Sequence, residues 1–380
     1  MNPSIAISVG ESSGDLNGAY LARAITQIIP QARLWGAGGP KMREAGVDIR
    51  VNMTNGGTIG IAETLKSLPA MVVKYNHLRH LLLKNRPDLF VPIDFGAFNI
   101  RLAQIAHANG IPVVYYFPPS SWRKELRNAS KLLACGGKVV TPFAWSAELL
   151  TQAGVDARFV GHPLLDIVKP GTEREKFLDE LSLDRSAITV GLLPGSRSHE
   201  IRGHLDPMLA CAEAIRHKLG NVQFVIGAAW GAENLRMQIA RSNVPDVKVV
   251  EGRTYDCMAS SDLLIIASGT ATLEAAILGV PMIIIYRGSA LMRLEYFLRK
   301  SILEDFIGMP NIIAGRGICP ELINDDVTPE KLAGVALDLL QHEKLVSDMR
   351  SGFEEVRRRL GEAGAVERAA RTVLEMGELL

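Results

Sequence analysis

The apolar run Leu89–Ile93 ends in a carboxylate, Asp94, in "LFVPIDFGAFN". A carboxylate at the end of a buried strand can take a proton from a sugar hydroxyl or hold that hydroxyl in place. It can also cap a helix expected to begin near Phe98. Glu11 stands in the same relation to the first strand, in "SVGESSGDLNG", Ser8 to Gly18. It is a candidate substrate ligand, while Ser12, Ser13 or Asp15 is expected to cap the helix that opens there. The glycines at 10, 14 and 18 are wrongly spaced for the G-x-G-x-x-G dinucleotide fingerprint. Gly14 and Gly18 leave room for a backbone or a ligand to come close.

Two further strand ends lie in the second half. In "GLLPGSRSHEI" an apolar run meets Pro194, Gly195 and Ser196, then Arg197 as a helix opens. Free amides at a helix start carry partial positive charge, which suits a phosphate, and Arg197 adds a planar two-pronged donor. A plain Gly-Ser turn is the other reading. In "IIASGTATLEAA" the strand ends in Ser268, Gly269 and Thr270, and Glu274 follows one turn into the next helix. Small residues there offer amides and hydroxyls to a diphosphate, and Glu274 can accept from a ribose diol or complement the helix dipole. No Walker lysine accompanies them, which disfavours ATP hydrolysis. Asn311, in "MPNIIAGRG", reads on its own as a turn residue.

These loops need strands to carry them. Short apolar runs alternate with helical patterns from end to end. Ile5–Val9, Arg33–Gly36, Leu89–Ile93, Val113–Phe117, Lys138–Thr141 and Arg158–Val160 are expected strands of a first half. Ile188–Leu193, Val222–Ile226, Val247–Val250, Leu263–Ala267 and Met282–Tyr286 are those of a second. Unbroken apolar strands between helices indicate parallel sheets covered on both faces. The expectation is therefore α/β: two doubly wound Rossmann-like domains, with the active site in the cleft between them. The domains are expected at 1–165 and 166–361, with C-terminal helices 362–380 as candidates to complete the first. The seam is expected near Pro163–Ala187, as a linker with one short helix.

The chain has 380 residues, of which 47% are hydrophobic, enough for two sizeable cores. The net charge of +1 argues against a general nucleic-acid binder. That charge is uneven: residues 1–165 hold 17 Lys+Arg and 10 Asp+Glu, net +7, and the rest 25 and 31, net −6. A basic first half suggests an anionic partner. Cys135, Cys211, Cys257 and Cys319 have no metal-ligand spacing and read as buried free thiols of a reducing cytoplasm. Neither a signal peptide nor a membrane span is expected. Leu65–Arg86 and Leu291–Lys300 are apolar and basic together. Each can be an amphipathic helix on an anionic membrane or a core-facing helix with a solvated basic face.

In order and spacing these motifs resemble those of the lipid-A-disaccharide synthase family, over nearly the whole chain. G-E-x-S-G-D is Gly10–Asp15, and G-P-x-M is Gly39–Met42. I-D-x-x-x-F-N is Ile93-Asp94 with Phe98-Asn99, and L-L-P-G-S-R-x-x-E is Leu192–Glu200. S-G-T-A-x-L-E is Ser268–Glu274, and P-N-x-x-A-G-R is Pro310–Arg316. The resemblance implies an inverting, metal-independent GT-B glycosyltransferase of bacterial lipid A biosynthesis. Such an enzyme transfers 2,3-diacylglucosamine from UDP to 2,3-diacylglucosamine 1-phosphate (lipid X), giving a β-1,6 disaccharide 1-phosphate and UDP. It implies no cofactor, a peripheral place on the cytoplasmic face of the inner membrane, and a homodimer as an allowed assembly. By the resemblance Asp94 is the base, with Glu11 and Arg197 catalytic. Gly195, Ser196, Arg197, Ser268, Gly269, Thr270, Glu274 and Asn311 face the UDP-sugar. Ser13, Gly14, Asp15, Asn99, Ser120 and Trp122 belong to the first loop or the acceptor side.

The departures fall in the first half. The family's S-P-S-x-W-A-W is Phe117 to Lys124 here and lacks the first Ser and second Trp. The second Asp of I-D-x-P-D-F is Ala97, and the Met of V-M-G-I is missing from Gly57–Ile61. The donor motifs are intact. A related transferase with another lipid acceptor is thus a rival, as are a UDP-N-acetylglucosamine 2-epimerase and a non-catalytic nucleotide-sugar binder.

Overall fold

The computed structural model describes residues 2–53, 61–123, 128–228, 235–236, 239, 247–288 and 306–380, with backbone only at 61–68 and 198–199. The Leu291–Lys300 segment lies outside the described residues. The chain forms two compact units, Met1–Asp166 with Arg359–Leu380, and Ile167–Arg358.

In the first unit β1 (Ser4–Ser8), β2 (Arg33–Gly38), β3 (Asp48–Asn52) and β4 (Leu89–Pro92) form a parallel sheet in the order β3-β2-β1-β4. Single bridges, Phe90–Val113 and Ile93–Tyr116, join β4 to a second parallel set, β5 (Tyr115–Tyr116), β6 (Lys138–Thr141) and β7 (Asp156–Phe159). Strand alternation divides the core. Ile5, Ile7, Val9, Leu89 and Val91 face one layer, and Ala6 and Phe90 face the other. Helix α1 (Ser12–Ile28) covers the first layer together with the C-terminal helix Ala365–Met376, whose Ala369, Ala370, Val373 and Leu374 are fully buried. The Asp166 carboxylate fixes the start of that helix by accepting from the amides of Gly364 (2.6 Å) and Val366 (2.8 Å). Helix α2 (Pro40–Glu44) follows β2, while α3 (Ile61–Asn85) and α4 (Gly96–Ala108) cover the opposite layer through Leu78, Leu82, Leu102 and Ala103.

The second unit is built on β8 (Ile188–Leu193), β9 (Val222–Ala228), β10 (Val247–Glu251), β11 (Leu263–Ala267), β12 (Met282–Tyr286) and β13 (Glu321–Ile323). All are parallel, in the order β10-β9-β8-β11-β12-β13. The expected α/β class with parallel sheets holds in both units. Three details differ. β3 and β13 escape a search for apolar runs because they are edge strands that stay half-exposed. The Val113–Phe117 run keeps only two ladder residues. Pro163–Ala187 holds two short helices, Leu164–Ile167 and Arg174–Glu180, rather than one. All four cysteines are free and buried, and burial pushes the thiols of Cys135, Cys211 and Cys257 up to about 12.

Candidate active site

Strand order reverses between β1 and β4 in one unit and between β8 and β11 in the other. Crevices at the carboxyl ends of strands open at such switch points. Every loop singled out for its chemistry before Asn311 follows one of these strands or the bridged β5.

At the first switch point the loop after β1 meets the turn after β4. Asp94, Phe95 and Gly96 all have positive φ (46°, 56° and 21°), a strained run for two side-chain-bearing residues. Hydrogen bonds hold it. The Asp94 amide donates to the Phe117 carbonyl (3.0 Å), and the Asp94 carbonyl accepts from Tyr115 Oη (2.8 Å) and Asn99 Nδ2 (3.1 Å). Fully buried Asn99 also donates to the carbonyls of Ser8 and Ile93 (both 3.0 Å) and accepts from Ser8 Oγ (2.7 Å). Asn99 therefore positions the turn and has no polar atom to spare for an acceptor. Phe95 lies over Gly10, where a Cβ would come within 2.1 Å of its ring.

Asp94 is not a helix cap. Helix α4 starts at Gly96 rather than near Phe98, and Phe95 holds the cap position without a side-chain bond. The Asp94 carboxyl keeps an exposed edge although protein surrounds most of it. Burial first, and the neighbouring Glu11 charge second, raise it to about 6, against a lowering hydrogen bond from the Phe95 amide. That value suits a base working near neutral pH.

The first loop corrects its own capping expectation. Glu11 takes the cap position of α1, and no side chain caps the helix. Asp15, 2% exposed, turns away and caps α2, accepting from the amides of Gly39 (2.7 Å), Lys41 (3.0 Å) and Met42 (3.3 Å). Asp15 is structural here. The close approaches at Gly14 and Gly18 are by Val9 and Met42, so protein fills that room. Ser13 is half-buried in the first turn of α1. Ser120 (φ 63°) and Trp122 lie in the loop after β5, where the Arg123 guanidinium stacks on the Trp122 ring at 4.5 Å.

At the second switch point the turns after β8 and β11 are neighbours, since Leu193 pairs with Ile266. Gly195 has φ 116°, and the Ser198–Leu219 helix opens immediately after Arg197. Its entrance already holds an anion. The Glu200 carboxylate accepts from the amides of Ser196 (3.0 Å) and Arg197 (3.1 Å) and pairs with Arg197 Nη1 (3.0 Å). A Cβ on Gly195 would meet Glu200 Oε2 at 2.5 Å. Two of the amides expected to await a phosphate are thus satisfied by the protein's own carboxylate, a contact that the motif's spacing allowed but the sequence reading missed.

After β11, Gly269 and Thr270 are exposed residues at the start of the helix Thr270–Leu278. The Ser268 hydroxyl is committed to the Ile307 carbonyl (2.8 Å). Glu274 is the fifth residue of that helix, too far along to complement its dipole strongly, and accepts from Tyr255 Oη at 3.3 Å. Asn311 is fully buried. It donates to the Cys319 carbonyl (2.9 Å) and Glu321 Oε1 (2.7 Å) and accepts from the amides of Ile318 (2.8 Å) and Cys319 (2.9 Å). With its hydrogen-bonding capacity used up in this way, Asn311 shapes the loop rather than reaching a ligand. Among the described residues no cluster of His, Cys, Asp or Glu could hold a metal ion, and no helix is long and apolar enough to cross a membrane.

A family profile described as Lipid-A-disaccharide synthetase matches residues 5–373. A lipid-A-disaccharide synthase of Syntrophus aciditrophicus is 38% identical over 372 residues, 96% of each chain. Among solved structures, a UDP-GlcNAc 2-epimerase from Neisseria meningitidis bound to UDP-GlcNAc aligns with TM-score 0.63 at 12% identity, covering 98% of each chain. The glycosyltransferase of kitacinnamycin aligns with TM-score 0.62 at 16% identity, covering 99% of each. At those identities the likeness is one of fold, two Rossmann-like domains. Profile and relative both span nearly the whole sequence, and the chain belongs to the lipid-A-disaccharide synthase family.

Proposed function

We propose that the chain transfers 2,3-diacylglucosamine from its UDP conjugate to 2,3-diacylglucosamine 1-phosphate with inversion, releasing UDP. Family membership supports the reaction, and the raised carboxyl of Asp94 at the first switch point is the observation that carries the mechanism. Asp94 takes the proton of the acceptor 6-hydroxyl as its oxygen attacks the anomeric carbon from the side opposite UDP. The bond from that carbon to the diphosphate breaks, and charge grows on the departing oxygen. Arg197 and the two helix starts answer that charge. Glu274 holds the ribose diol. Glu11 keeps Asp94 basic through its charge.

The same reading places the enzyme on the inner leaflet of the cytoplasmic membrane, where acylated substrates reside. It is supported by α3, whose Val72 and Val73 are 54% and 66% exposed beside exposed His77, Arg79, His80 and Lys84. The test is product formation from UDP-2,3-diacylglucosamine and lipid X in detergent, with and without EDTA. Disaccharide 1-phosphate forms in both, and Asp94→Asn slows its formation by about two to four orders of magnitude. UDP binding without product would move the proposal to another acceptor. Epimerisation of UDP-N-acetylglucosamine without acceptor would replace it.

A further inference from the structure

His204 lies one helical turn beyond Glu200 on the Ser198–Leu219 helix, is 1% exposed, and has no part in the chemistry above. Its Nδ1 is 2.8 Å from the Pro194 carbonyl, and its Nε2 is 2.9 Å from the Arg287 amide. A carbonyl only accepts and an amide only donates, so the hydrogen-bond network assigns the neutral tautomer with the proton on Nδ1.

The two partners belong to different loops. Pro194 opens the turn after β8, and Arg287 follows β12, with β11 between them. Strands two places apart are about 10 Å from each other, beyond any ladder hydrogen bond. The imidazole bridges that gap with both nitrogens. The helix backbone helps, since a Cβ on Gly203 would lie 3.5 Å from the Arg287 carbonyl oxygen. Glu200 and His204 share one helix face, at i and i+4, and grip the Pro194–Arg197 turn through its first carbonyl and its last two amides.

We propose that His204 is a positioning residue of the donor site. It holds the Gly195–Arg197 turn in register with the ends of β11 and β12, so that Arg197 and the Thr270 helix start address one diphosphate. The proposal rests on the reading of Arg197 as a diphosphate ligand. A histidine that merely filled the core would stabilise the fold without touching UDP affinity.

The imidazole's two bonds can be separated. The Asn amide nitrogen occupies the place of Nδ1 and can serve Pro194, and the Gln amide oxygen occupies the place of Nε2 and can serve Arg287. Calorimetric titration with UDP compares wild type, Arg197→Ala, His204→Leu, His204→Asn and His204→Gln. Arg197→Ala weakens UDP by about tenfold or more, and His204→Leu by about tenfold, the scale of one lost buried hydrogen bond. His204→Asn restores affinity to within about threefold of wild type and His204→Gln restores less, because the turn hangs from Pro194. A folded His204→Leu protein with wild-type UDP affinity overturns the proposal while Arg197→Ala still weakens UDP. Unchanged affinity in Arg197→Ala overturns the diphosphate reading beneath it. If the Leu variant does not fold, the Asn and Gln variants decide, and equal affinity in the two overturns the proposal.

Discussion

The switch points of the two units are built by the same topology and prepared in opposite ways. Around Asp94 the backbone is strained, three residues in a row with positive φ, and the carboxyl is raised toward neutrality. Around Arg197 the opposite holds: the helix start and guanidinium are satisfied by Glu200 before any ligand arrives. On the roles proposed above, the contrast follows from what each site binds. A base has to be ready before its proton donor docks, so its ionised form is kept unstable. An anion site that stood empty would leave amides and a cation unpaired, so the protein lends it a carboxylate that a stronger anion can displace.

The largest expected effect breaks the first half of that contrast. Asp94→Asn lowers kcat by about two to four orders of magnitude in the disaccharide assay. It also raises the melting temperature at pH 7.5. Asn tolerates the left-handed backbone as Asp does, and the substitution removes a carboxylate that the fold would rather hold protonated. The sign can be checked by titration. A raised carboxyl means the folded state binds more protons than the unfolded chain between about pH 4 and 6, so the wild type gains stability as pH falls through 6. The advantage of Asn therefore shrinks on acidification. Equal melting temperatures at pH 7.5 would mean that the ionised carboxylate does not destabilise the fold.

Next comes the donor side. On the proposed role of Arg197, Arg197→Ala lowers kcat/KM by about two to three orders of magnitude, because a cation facing a leaving diphosphate acts mainly in the transition state. Melting changes little, since the Arg197–Glu200 pair is partly exposed.

The glycines sharpen the comparison further. Gly195→Ala puts a methyl group into Glu200 at a φ of 116°, which costs about 1–3 kcal/mol and raises donor KM. Gly10→Ala meets no backbone penalty but strikes the Phe95 ring, which must swing away. Its effect falls on acceptor KM and is the smaller of the two, because a side chain yields more readily than a turn. Donor and acceptor KM values that moved together in both variants would erase the division of labour.

The strands were legible because unbroken apolar runs are the signature of sheets buried on both faces, and Asp94, Glu11, Arg197 and Ser268 could be found by looking just past them. Edge strands β3 and β13 carry polar residues that hide them. The larger gap concerns buried polar side chains. Asp15, Asn99 and Asn311 have the residue types of ligand contacts, yet Asp15 caps a helix 24 residues away and Asn99 reaches back 91 residues to Ser8. Residue type shows which chemistry is available, but a partner so distant in sequence leaves no local trace. Glu200 and His204 were missed for a related reason: helical spacing puts both on one face, but only the folded turn shows what that face grips.

The smallest effects separate the two influences on Asp94. Glu11→Gln removes the second cause of its raised carboxyl, so Asp94 ionises more readily and the acid limb of the kcat/KM profile moves below 6. Tyr115→Phe should leave that limb in place. The lost hydroxyl bonds the Asp94 carbonyl rather than its carboxylate, and Asn99 Nδ2 still serves that carbonyl at 3.1 Å. What changes is the hold on the turn: a loss of about 1 kcal/mol in stability and a few-fold fall in kcat. A Tyr115→Phe limb that moved as far as the Glu11→Gln limb would mean that backbone strain, and not burial and charge, sets the basicity of Asp94.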